Sequence, residues 1–331
     1  MQAWTPEQAE GLAERVQQIV GTLEHELGSV IVGQKQVVRG VLTALLAGGH
    51  VLLEGVPGLG KTLLVRTLAE CLDLTYSRIQ FTPDLMPADI VGTDIINETD
   101  GARAFAFQPG PIFAHLVLAD EINRATPRTQ SAMLEAMQEH VVTVGRTSHP
   151  LPEPFFVMAT QNPIDLQGTY PLPEAQLDRF FFKLIVEYPQ GDELKEIARR
   201  TTGNRASNAR KVMDGPTLAR LQQIVRDIPV AEEVLDYAAN LVMATHPETA
   251  SASPSAKQFV RFGASPRAIQ SLVLAGKVNA ILSGRYNVSY DDLKRVALPS
   301  LRHRMVLNVE AQLQNVTADA IITRVLEEVQ P

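Results

Sequence analysis

The chain has 331 residues, of which 45% are hydrophobic and 20% are charged, the composition of an ordinary globular protein with room for two domains. Its net charge of −7 and pI of about 5.6 argue against a protein that binds nucleic acid over a whole basic face. With one cysteine (Cys71), no secretory signal and no apolar run long enough to cross a bilayer, we expect a soluble cytoplasmic protein.

The chain opens with helical periodicity. Apolar residues recur on one face at Leu12, Val16, Ile19, Leu23 and Leu27. This spacing predicts an N-terminal helix within residues 1–29. A second amphipathic helix follows Val32-Gly33-Gln34 and ends at Gly48-Gly49, directly before the first predicted strand.

The next segment, Gly55-Val56-Pro57-Gly58-Leu59-Gly60-Lys61-Thr62, fits the pattern G-x-x-x-x-G-K-[ST] at every fixed position. The run His50–Glu54 before it predicts a buried strand, and Leu63–Glu70 after it predicts a helix. Backbone N–H groups at such a turn converge on phosphates, and the positive end of the helix dipole faces them. Lys61 would reach the β- and γ-phosphates, and the Thr62 hydroxyl would ligate Mg²⁺. We therefore assign Gly55 through Leu63 to nucleotide binding.

Strand-like runs and helical segments alternate as far as about residue 190. The remaining predicted strands are Tyr76–Phe81, Leu116–Glu121, Phe155–Thr160 and Phe180–Val186. Two hairpins are also predicted, over residues 93–107 and 141–147; in the first, Phe105 and Phe107 share a face, where packing is favoured over contact with a partner. The alternation indicates a parallel sheet covered by helices, with the glycine-rich turn at the carboxyl ends of its strands.

The last part of the chain has a different pattern. From about Gly191 onward helical segments follow one another, and helix starts are found at Ser265-Pro266 and at Ser289–Asp292. We therefore predict an N-terminal helix (1–29), an α/β nucleotide-binding domain (30–190) and an all-helical domain (191–331). The helical domain would sit over the nucleotide as a lid.

Two carboxylates, Asp120 and Glu121, end one of the apolar strands. Asp120 can hold Mg²⁺ through its water shell, and Glu121 is free to polarise a water molecule for attack on the γ-phosphate. The alternative is an aspartate that caps a helix at a strand-to-helix turn. The phosphate-binding segment upstream favours the catalytic interpretation, and a carboxylate placed as a base indicates hydrolysis rather than nucleotide storage.

Three further polar residues are candidates, and two of them have a structural alternative. Asn162 either orients the attacking water and senses the γ-phosphate or forms a turn before Pro163. Arg179 is either an arginine finger, which stabilises charge on the transferring phosphoryl group, or a partner in a surface ion pair. Arg267 lies in the first turn of a helix, where the dipole disfavours a cation, so a nearby anion such as a nucleotide phosphate is expected.

In their order along the chain, these motifs resemble those of the MoxR family of AAA+ ATPases. The matching segments are Ile31–Gln34, Gly55–Thr62, Phe107–Pro111, Asp120–Ala125, Ala159–Pro163, Leu177–Phe180 and Gly263–Ala268. The resemblance covers most of the chain, from about Val30 into the helical part. Residues 1–29 lie outside it, and Thr126 stands where proline is common in the family.

The resemblance implies a ring, usually hexameric, with ATP bound between subunits. It makes Gly55–Thr62 the Walker A motif and Asp120-Glu121 the Walker B motif, and it puts Val32 and Gly33 near the adenine. Asn162 would be sensor 1. The two hairpins would be the helix-2 insert and the pre-sensor-1 insert of the family.

The resemblance also assigns the two arginines. Arg179 would be the arginine finger given to the neighbouring subunit, and Arg267 would be sensor 2, with its action in cis or in trans left open. MoxR-like proteins are regarded as chaperone-like remodelers that help to mature or activate other proteins, often with a von Willebrand factor A partner. The family's relatives include magnesium-chelatase ATPase subunits and helicase motors.

The leading hypothesis is therefore an ATP-driven remodeler of client proteins that works as a homo-hexamer. A nucleic-acid motor would need basic hairpins in the ring pore, yet the first hairpin carries Asp94, Glu98 and Asp100 and only Arg103. A chelatase-type motor subunit stays open, because the metal chemistry would belong to a partner. Glu121 argues against a nucleotide-dependent scaffold that barely hydrolyses.

Overall fold

The structure, a computed structural model, describes residues 6–99, 102–163, 168–202 and 209–330. Two helices precede the sheet, α1 (Pro6–Val30) and α2 (Lys35–Ala47). Both were predicted, and α1 runs slightly further than its predicted end at Gly28-Ser29. The predicted stripe on α1 is buried at Val16, Leu23 and Leu27, so this helix packs its apolar face into the protein.

The α/β part follows the predicted alternation of strands and helices. In chain order it contains β1 (Val51–Glu54), α3 (Lys61–Leu72), β2 (Tyr76–Gln80), α4 (Pro87–Val91), β3 (Gly92–Thr99), β4 (Ala102–Pro109), β5 (Leu116–Asp120), a 3₁₀ turn (Ile122–Arg124), α5 (Pro127–Glu139), β6 (Val141–Val144), β7 (Thr147–Pro150), β8 (Phe156–Gln161), α6 (Glu174–Leu177) and β9 (Phe182–Ile185). Within the described residues, five of these strands form one parallel sheet in the order β2-β5-β8-β1-β9. The predicted covered parallel sheet is confirmed.

Both predicted hairpins are present, as β3–β4 and β6–β7, each antiparallel. The turn predicted at the tip of the first hairpin, between β3 and β4, includes residues 100 and 101, which lie outside the described part of the chain. Phe107 packs as predicted, stacked on His149 of the second hairpin with 3.8 Å between ring centroids. The packing prediction is wrong for Phe105, which is 79% exposed because it lies further towards the tip, opposite the exposed Ile96.

The last part of the chain is helical, with one exception. Its elements are α7 (Gly191–Thr201), α8 (Gly215–Asp227), α9 (Glu232–Ala244), α10 (Pro254–Phe259), β10 (Val260–Phe262), α11 (Pro266–Leu282), α12 (Tyr290–Leu301), β11 (Val306–Leu307), α13 (Val309–Leu313) and α14 (Ala318–Glu328). The exception is a small antiparallel ribbon of β10 and β11. These strands have three and two residues, too few for an alternating pattern to register in the sequence.

Two apolar cores lie on opposite sides of the sheet. One fills the space between the sheet, α5 and the segments around it. The other joins α1, α2 and α3, the opposite face of the sheet and the C-terminal helices into one continuous cluster, which crosses residue 190. The division into three parts at residues 29 and 190 stays a prediction.

The C-terminal helices lie beside α2 and β9, and their role as a lid over the nucleotide stays a prediction. Helix α11 packs against α1 and α2, and α12 packs against β9. At the glycine-rich turn Pro57, Gly58 and Thr62 are exposed. The C-terminal helices cover the apolar faces of α1 and α2, which would otherwise meet water.

Cys71 is fully buried on α3, and burial raises the pKa of its thiol to about 11. Cys71 is therefore a small buried hydrophobic residue rather than a reactive thiol. In the parts of the chain that the structure describes, no helix combines the length and the apolar character that a membrane span requires.

The buried His50 ties three elements together at the amino-terminal edge of the sheet. Its Nε2 donates to the Met137 carbonyl of α5 at 2.9 Å, and its Nδ1 accepts from the Val157 N–H of β8 at 3.1 Å. Its carbonyl accepts from the Phe181 N–H at 2.8 Å, just before β9. Because a backbone N–H can only donate, these bonds require the neutral ring protonated on Nε2. Burial, reinforced by His140, lowers the pKa of His50 to about 4.

We predict that His50 makes the protein less stable below neutral pH. Its pKa is about 4 in the folded protein and 6.5 in the unfolded chain, so the unfolded chain binds the extra proton as the pH falls from 6.5 towards 4. This removes about 3 kcal/mol of unfolding free energy across that window and nothing further below it. Denaturant unfolding of His50→Gln at several pH values should give a flatter profile than wild type. The exposed His25→Gln is the control, and an unchanged slope in His50→Gln would contradict the prediction.

Candidate phosphate-binding and hydrolysis site

The glycine-rich turn connects the end of β1 to the start of α3. Gly58 and Gly60 have φ values of +84° and +78°, in the left-handed region that favours glycine, and open space surrounds both. Gly55 is held differently, since a Cβ there would lie 2.8 Å from the Cβ and carbonyl oxygen of Val186. The turn is therefore shaped by backbone conformation at two glycines and by close packing at the third, and it stays open to solvent.

Lys61 lies across this turn. Lys61 is the first residue of α3, and its Nζ donates to the Gly55 carbonyl at 2.8 Å. This bond holds the ammonium group inside the glycine-rich turn. Burial lowers the pKa of Lys61, and the nearby carboxylates of Asp120 and Glu121 oppose that shift. A cation within the turn, an exposed Thr62 at the first turn of α3 and the positive end of that helix are the features that a bound triphosphate requires.

Asp120 and Glu121 come next to this turn because the strands are parallel. The pairing of β1 with β8 and of β8 with β5 brings the carboxyl ends of these strands to one edge of the sheet. The Oδ2 of Asp120 accepts from Arg78 of the neighbouring strand, with 2.6 Å to Nη2 and 3.1 Å to Nε. The Oε2 of Glu121 accepts from Gln80 at 3.0 Å and from Arg124 at 2.9 Å. Both carboxylates are thus oriented by neighbouring side chains, of which Arg78 and Gln80 belong to no motif in the sequence.

Thr160 is a functional residue that sequence reasoning missed. Its hydroxyl donates to the Oδ1 of Asp120 at 2.6 Å and accepts from the N–H of Glu121 at 2.8 Å. Glu121 itself has φ +56°, a strained conformation for a residue with a side chain. The Thr160 hydroxyl therefore stabilises this turn and holds both carboxylates in fixed relation. Only the register of β5 against β8, with Ala119 opposite Ala159, would have revealed the contact.

Asn162 lies at the same edge, directly after the end of β8. It is buried, and the carbonyl of the preceding Gln161 accepts from the N–H of Gly55 at 3.3 Å, at the start of the glycine-rich turn. The side-chain oxygen of Gln161 is itself buried and finds no hydrogen-bond partner within the described residues. Asn162 therefore lies next to the start of the glycine-rich turn, and its role as a sensor stays a prediction.

Arg179 lies at the opposite edge of the sheet. Strand β9 runs parallel to β1 with Phe182 opposite Val51, and the Phe181 N–H bonds to the carbonyl of His50 before β1 begins. Arg179 is therefore at the amino-terminal edge, separated from the glycine-rich turn by the length of a strand, at least about 10 Å. Its Nη1 donates to the Leu134 carbonyl of α5 at 3.0 Å.

Arg267 is found beside Arg179 rather than beside the glycine-rich turn. The Ser265 hydroxyl caps α11 by accepting from the Arg267 N–H at 3.2 Å. The Arg267 Nη1 lies 3.2 Å from the Oδ2 of Asp178, the residue before Arg179. The anion expected near Arg267 is thus the Asp178 carboxylate in this structure. The predicted residues fall into two groups, one at each edge of the sheet.

Val32 and Gly33 precede α2, where both are half-buried. Gly33 has φ +67°, and a Cβ there would lie 2.4 Å from an oxygen of Glu193 on α7. A cavity of about 910 Å³ opens beside the next residue, Gln34, between α2, β9 and the C-terminal helices. The predicted location of the adenine is therefore a glycine turn next to a cavity.

The site also fits Mg²⁺ by its donor set. Thr62 and Asp120 supply oxygen atoms at the carboxyl-terminal edge, and across the described residues no group of three or more His, Cys, Asp and Glu side chains could hold a metal ion by itself. Mg²⁺ is commonly held by one or two protein oxygens together with the phosphates of a nucleotide. The residues present match that mode of binding.

Comparison with known proteins gives a consistent result. Residues 50–182 match the model of the ATPase family associated with various cellular activities (AAA), and residues 254–325 match the AAA lid domain. The chain is 45% identical to chaperone MoxR1 of Mycobacterium tuberculosis over 98% of this chain and 85% of that protein, and 41% identical to YeaC of Bacillus subtilis over 96% of each. The crystal structure of a candidate ATPase from Cytophaga hutchinsonii superposes with a TM-score of 0.90 at 38% identity, over 98% of both chains.

We predict that the Thr160 hydroxyl is required for efficient nucleotide hydrolysis. Thr160→Val keeps the shape of the side chain but leaves the Glu121 N–H and the Asp120 carboxylate without their shared partner. Loss of such an orienting contact should slow hydrolysis about 10- to 100-fold. Thr160→Ser keeps the hydroxyl and should stay close to wild type, and steady-state phosphate release measures both. Equal rates in the valine and serine variants would rule out this role.

Proposed function

Because the chain belongs to the MoxR family of AAA+ ATPases, we propose that it hydrolyses ATP at the subunit interfaces of a homo-hexameric ring and uses the energy to remodel or activate client proteins. In this proposal residues 30–190 bind the nucleotide, residues 191–331 form the helical domain, and residues 1–29 are an additional helix. The expected compartment is the cytoplasm. The observation that carries the proposal is the separation of the two groups of site residues.

Each residue at the carboxyl-terminal edge has a role in this proposal. Gly55 through Leu63 would hold the phosphates of ATP, with Lys61 as the cation. Thr62 and Asp120 would hold Mg²⁺, which supplies charge neutralisation for the phosphates. Glu121 would take the proton of the attacking water, and Asn162 would orient that water.

The arginines at the amino-terminal edge support a shared site. Neither Arg179 nor Arg267 reaches the glycine-rich turn of its own chain, since one contacts the Leu134 carbonyl and the other Asp178. A ring built by head-to-tail contacts brings different surfaces of adjacent subunits together. If the amino-terminal edge of one subunit faces the open turn of the next, both arginines stabilise charge in the neighbour's site, so we propose that Arg267 acts in trans, like Arg179.

The hairpins support a protein client. The cross-strand pair Ile96 and Phe105 is 62% and 79% exposed and forms an apolar surface on the first hairpin. A relative of this chain is named a chaperone. A von Willebrand factor A domain protein stays a candidate partner, as the resemblance implies. The alternatives are a chelatase-type motor subunit and a nucleic-acid motor, and stimulation of hydrolysis by unfolded protein but not by nucleic acid would favour the proposed function.

Two substitutions separate binding from hydrolysis. Glu121→Gln should keep ATP affinity and reduce turnover by two orders of magnitude or more, about 3 kcal/mol of barrier, because the base is lost while the phosphate contacts remain. Lys61→Ala should lose affinity because it removes the cation within the turn. Binding of a fluorescent ATP analogue and phosphate release measure the two effects. Normal turnover in Glu121→Gln, or retained affinity in Lys61→Ala, would contradict the assignments.

A mixing experiment tests the shared site. Arg179→Ala and Glu121→Gln subunits should each be inactive alone. In mixed rings, the nucleotide site of an Arg179→Ala subunit still has Glu121, and it can receive Arg179 from a Glu121→Gln neighbour. At equal amounts about one quarter of the sites are productive by random assembly. The ATPase rate per subunit should also rise with protein concentration as rings form, followed by mass photometry. A concentration-independent rate from monomers, with no recovery on mixing, would refute a finger supplied in trans.

A further inference from the structure

The C-terminal helical part reaches across the sheet edge to the segment that carries Arg179. This finger segment, Asp178–Phe181, lies between α6 and β9 and is contacted by two consecutive buried residues, His303 and Arg304, that follow α12. Each of these contacts joins residues that are more than 120 positions apart in the sequence. Neither residue belongs to any motif used above.

Arg304 makes the larger share of these contacts. Its Nε donates to the Oδ1 of Asp178 at 3.1 Å, its Nη2 to the carbonyl of Phe180 at 2.7 Å, and its Nη1 to the carbonyl of Phe181 at 3.2 Å. Nη1 also donates to the carbonyl of Ser300, in the last turn of α12. One planar guanidinium thus joins α12 to a carboxylate and two carbonyls of the finger segment, a geometry that a lysine cannot reproduce.

His303 and Asp178 complete the attachment. His303 Nε2 donates to the Phe180 carbonyl at 2.9 Å. The Asp178 carboxylate accepts from the Ser265 hydroxyl at 2.6 Å and pairs with Arg267, so it links the first turn of α11 to the same segment. Burial lowers the pKa of Arg304 to about 10 and Asp178 opposes the shift, so the guanidinium is charged at neutral pH. The ion pair of Arg304 and Asp178 is costly to desolvate, so it adds little to the stability of the protein by itself. We therefore attribute its role to the orientation of the finger segment.

We propose that Arg304, through Asp178, is a positioning residue for Arg179: it fixes the finger segment to the C-terminal helices so that Arg179 is presented to the neighbouring subunit. The inference rests on the proposed function, in which Arg179 acts in trans. Within the described residues, the hydrogen bonds of Arg304 go to α12 and to the finger segment at the amino-terminal edge of the sheet, and the nucleotide site of its own chain lies at the other edge. Loss of Arg304 therefore impairs the neighbour's site and leaves its own intact.

The test is the recovery of activity in mixed rings. Arg304→Met rings should bind ATP with wild-type affinity and show at least a tenfold lower kcat. Mixed with Glu121→Gln subunits, they should recover to about one quarter of the wild-type rate, because Arg304→Met sites then receive a well-placed finger. A merely structural or cis-acting role for Arg304 predicts no recovery. Should Arg304→Met fail to fold, Arg304→Lys, which keeps the charge without the planar fork, carries the same test.

Two controls make the outcomes distinct. Arg285→Met breaks another ion pair of the C-terminal part, with Asp292 at 2.7 Å, that does not touch the finger segment; its kcat should stay near wild type. The mixture of Arg179→Ala with Glu121→Gln reports on the shared site itself. Recovery there without recovery for Arg304→Met overturns the positioning role alone. No recovery in either mixture overturns the trans finger and, with it, the positioning role.

Discussion

The direction of the strands is the constraint on which the rest of this structure depends. Because all five strands of the central sheet are parallel, every carboxyl end lies at one edge and every amino end at the other. The glycine-rich turn, Asp120, Glu121 and Asn162 follow carboxyl ends, while Arg179 precedes β9. In the proposed function, this connectivity divides the phosphate chemistry of one chain between two edges of the sheet, and the assembly of subunits reunites them.

The C-terminal helices contact the amino-terminal edge of the sheet, where Arg179 lies. These helices cover α1, α2 and β9 in one continuous core, so the glycine-rich turn is left open to solvent. The same helices deliver Arg267 and Arg304 to Asp178, at the amino-terminal edge. The helical part is thereby connected to the proposed finger segment rather than to its own nucleotide site, which would make its movement felt by the neighbouring subunit.

At the carboxyl-terminal edge, local strain is matched by specific hydrogen bonds. Glu121 adopts φ +56°, a conformation that costs about 1 kcal/mol or more for a residue with a side chain. The Thr160 hydroxyl, Gln80 and Arg124 hold it there, while Arg78 and the same hydroxyl hold Asp120. If Glu121 is the base, as proposed, this network of hydrogen bonds orients its carboxylate.

The sequence by itself determined the features that depend on neighbours in the chain. The phosphate-binding turn, the carboxylates after an apolar strand, the helix caps and both hairpins were predictable, because a few consecutive residues create each of them. The tertiary structure decided what depends on residues far apart: the contacts of Thr160 and Arg304, the exposed position of Phe105, and the packing of the helical part against α1, α2 and β9. It also put Arg267 beside Asp178 rather than beside its own phosphate turn. These outcomes follow from strand register and from which apolar faces meet, and a linear pattern carries neither.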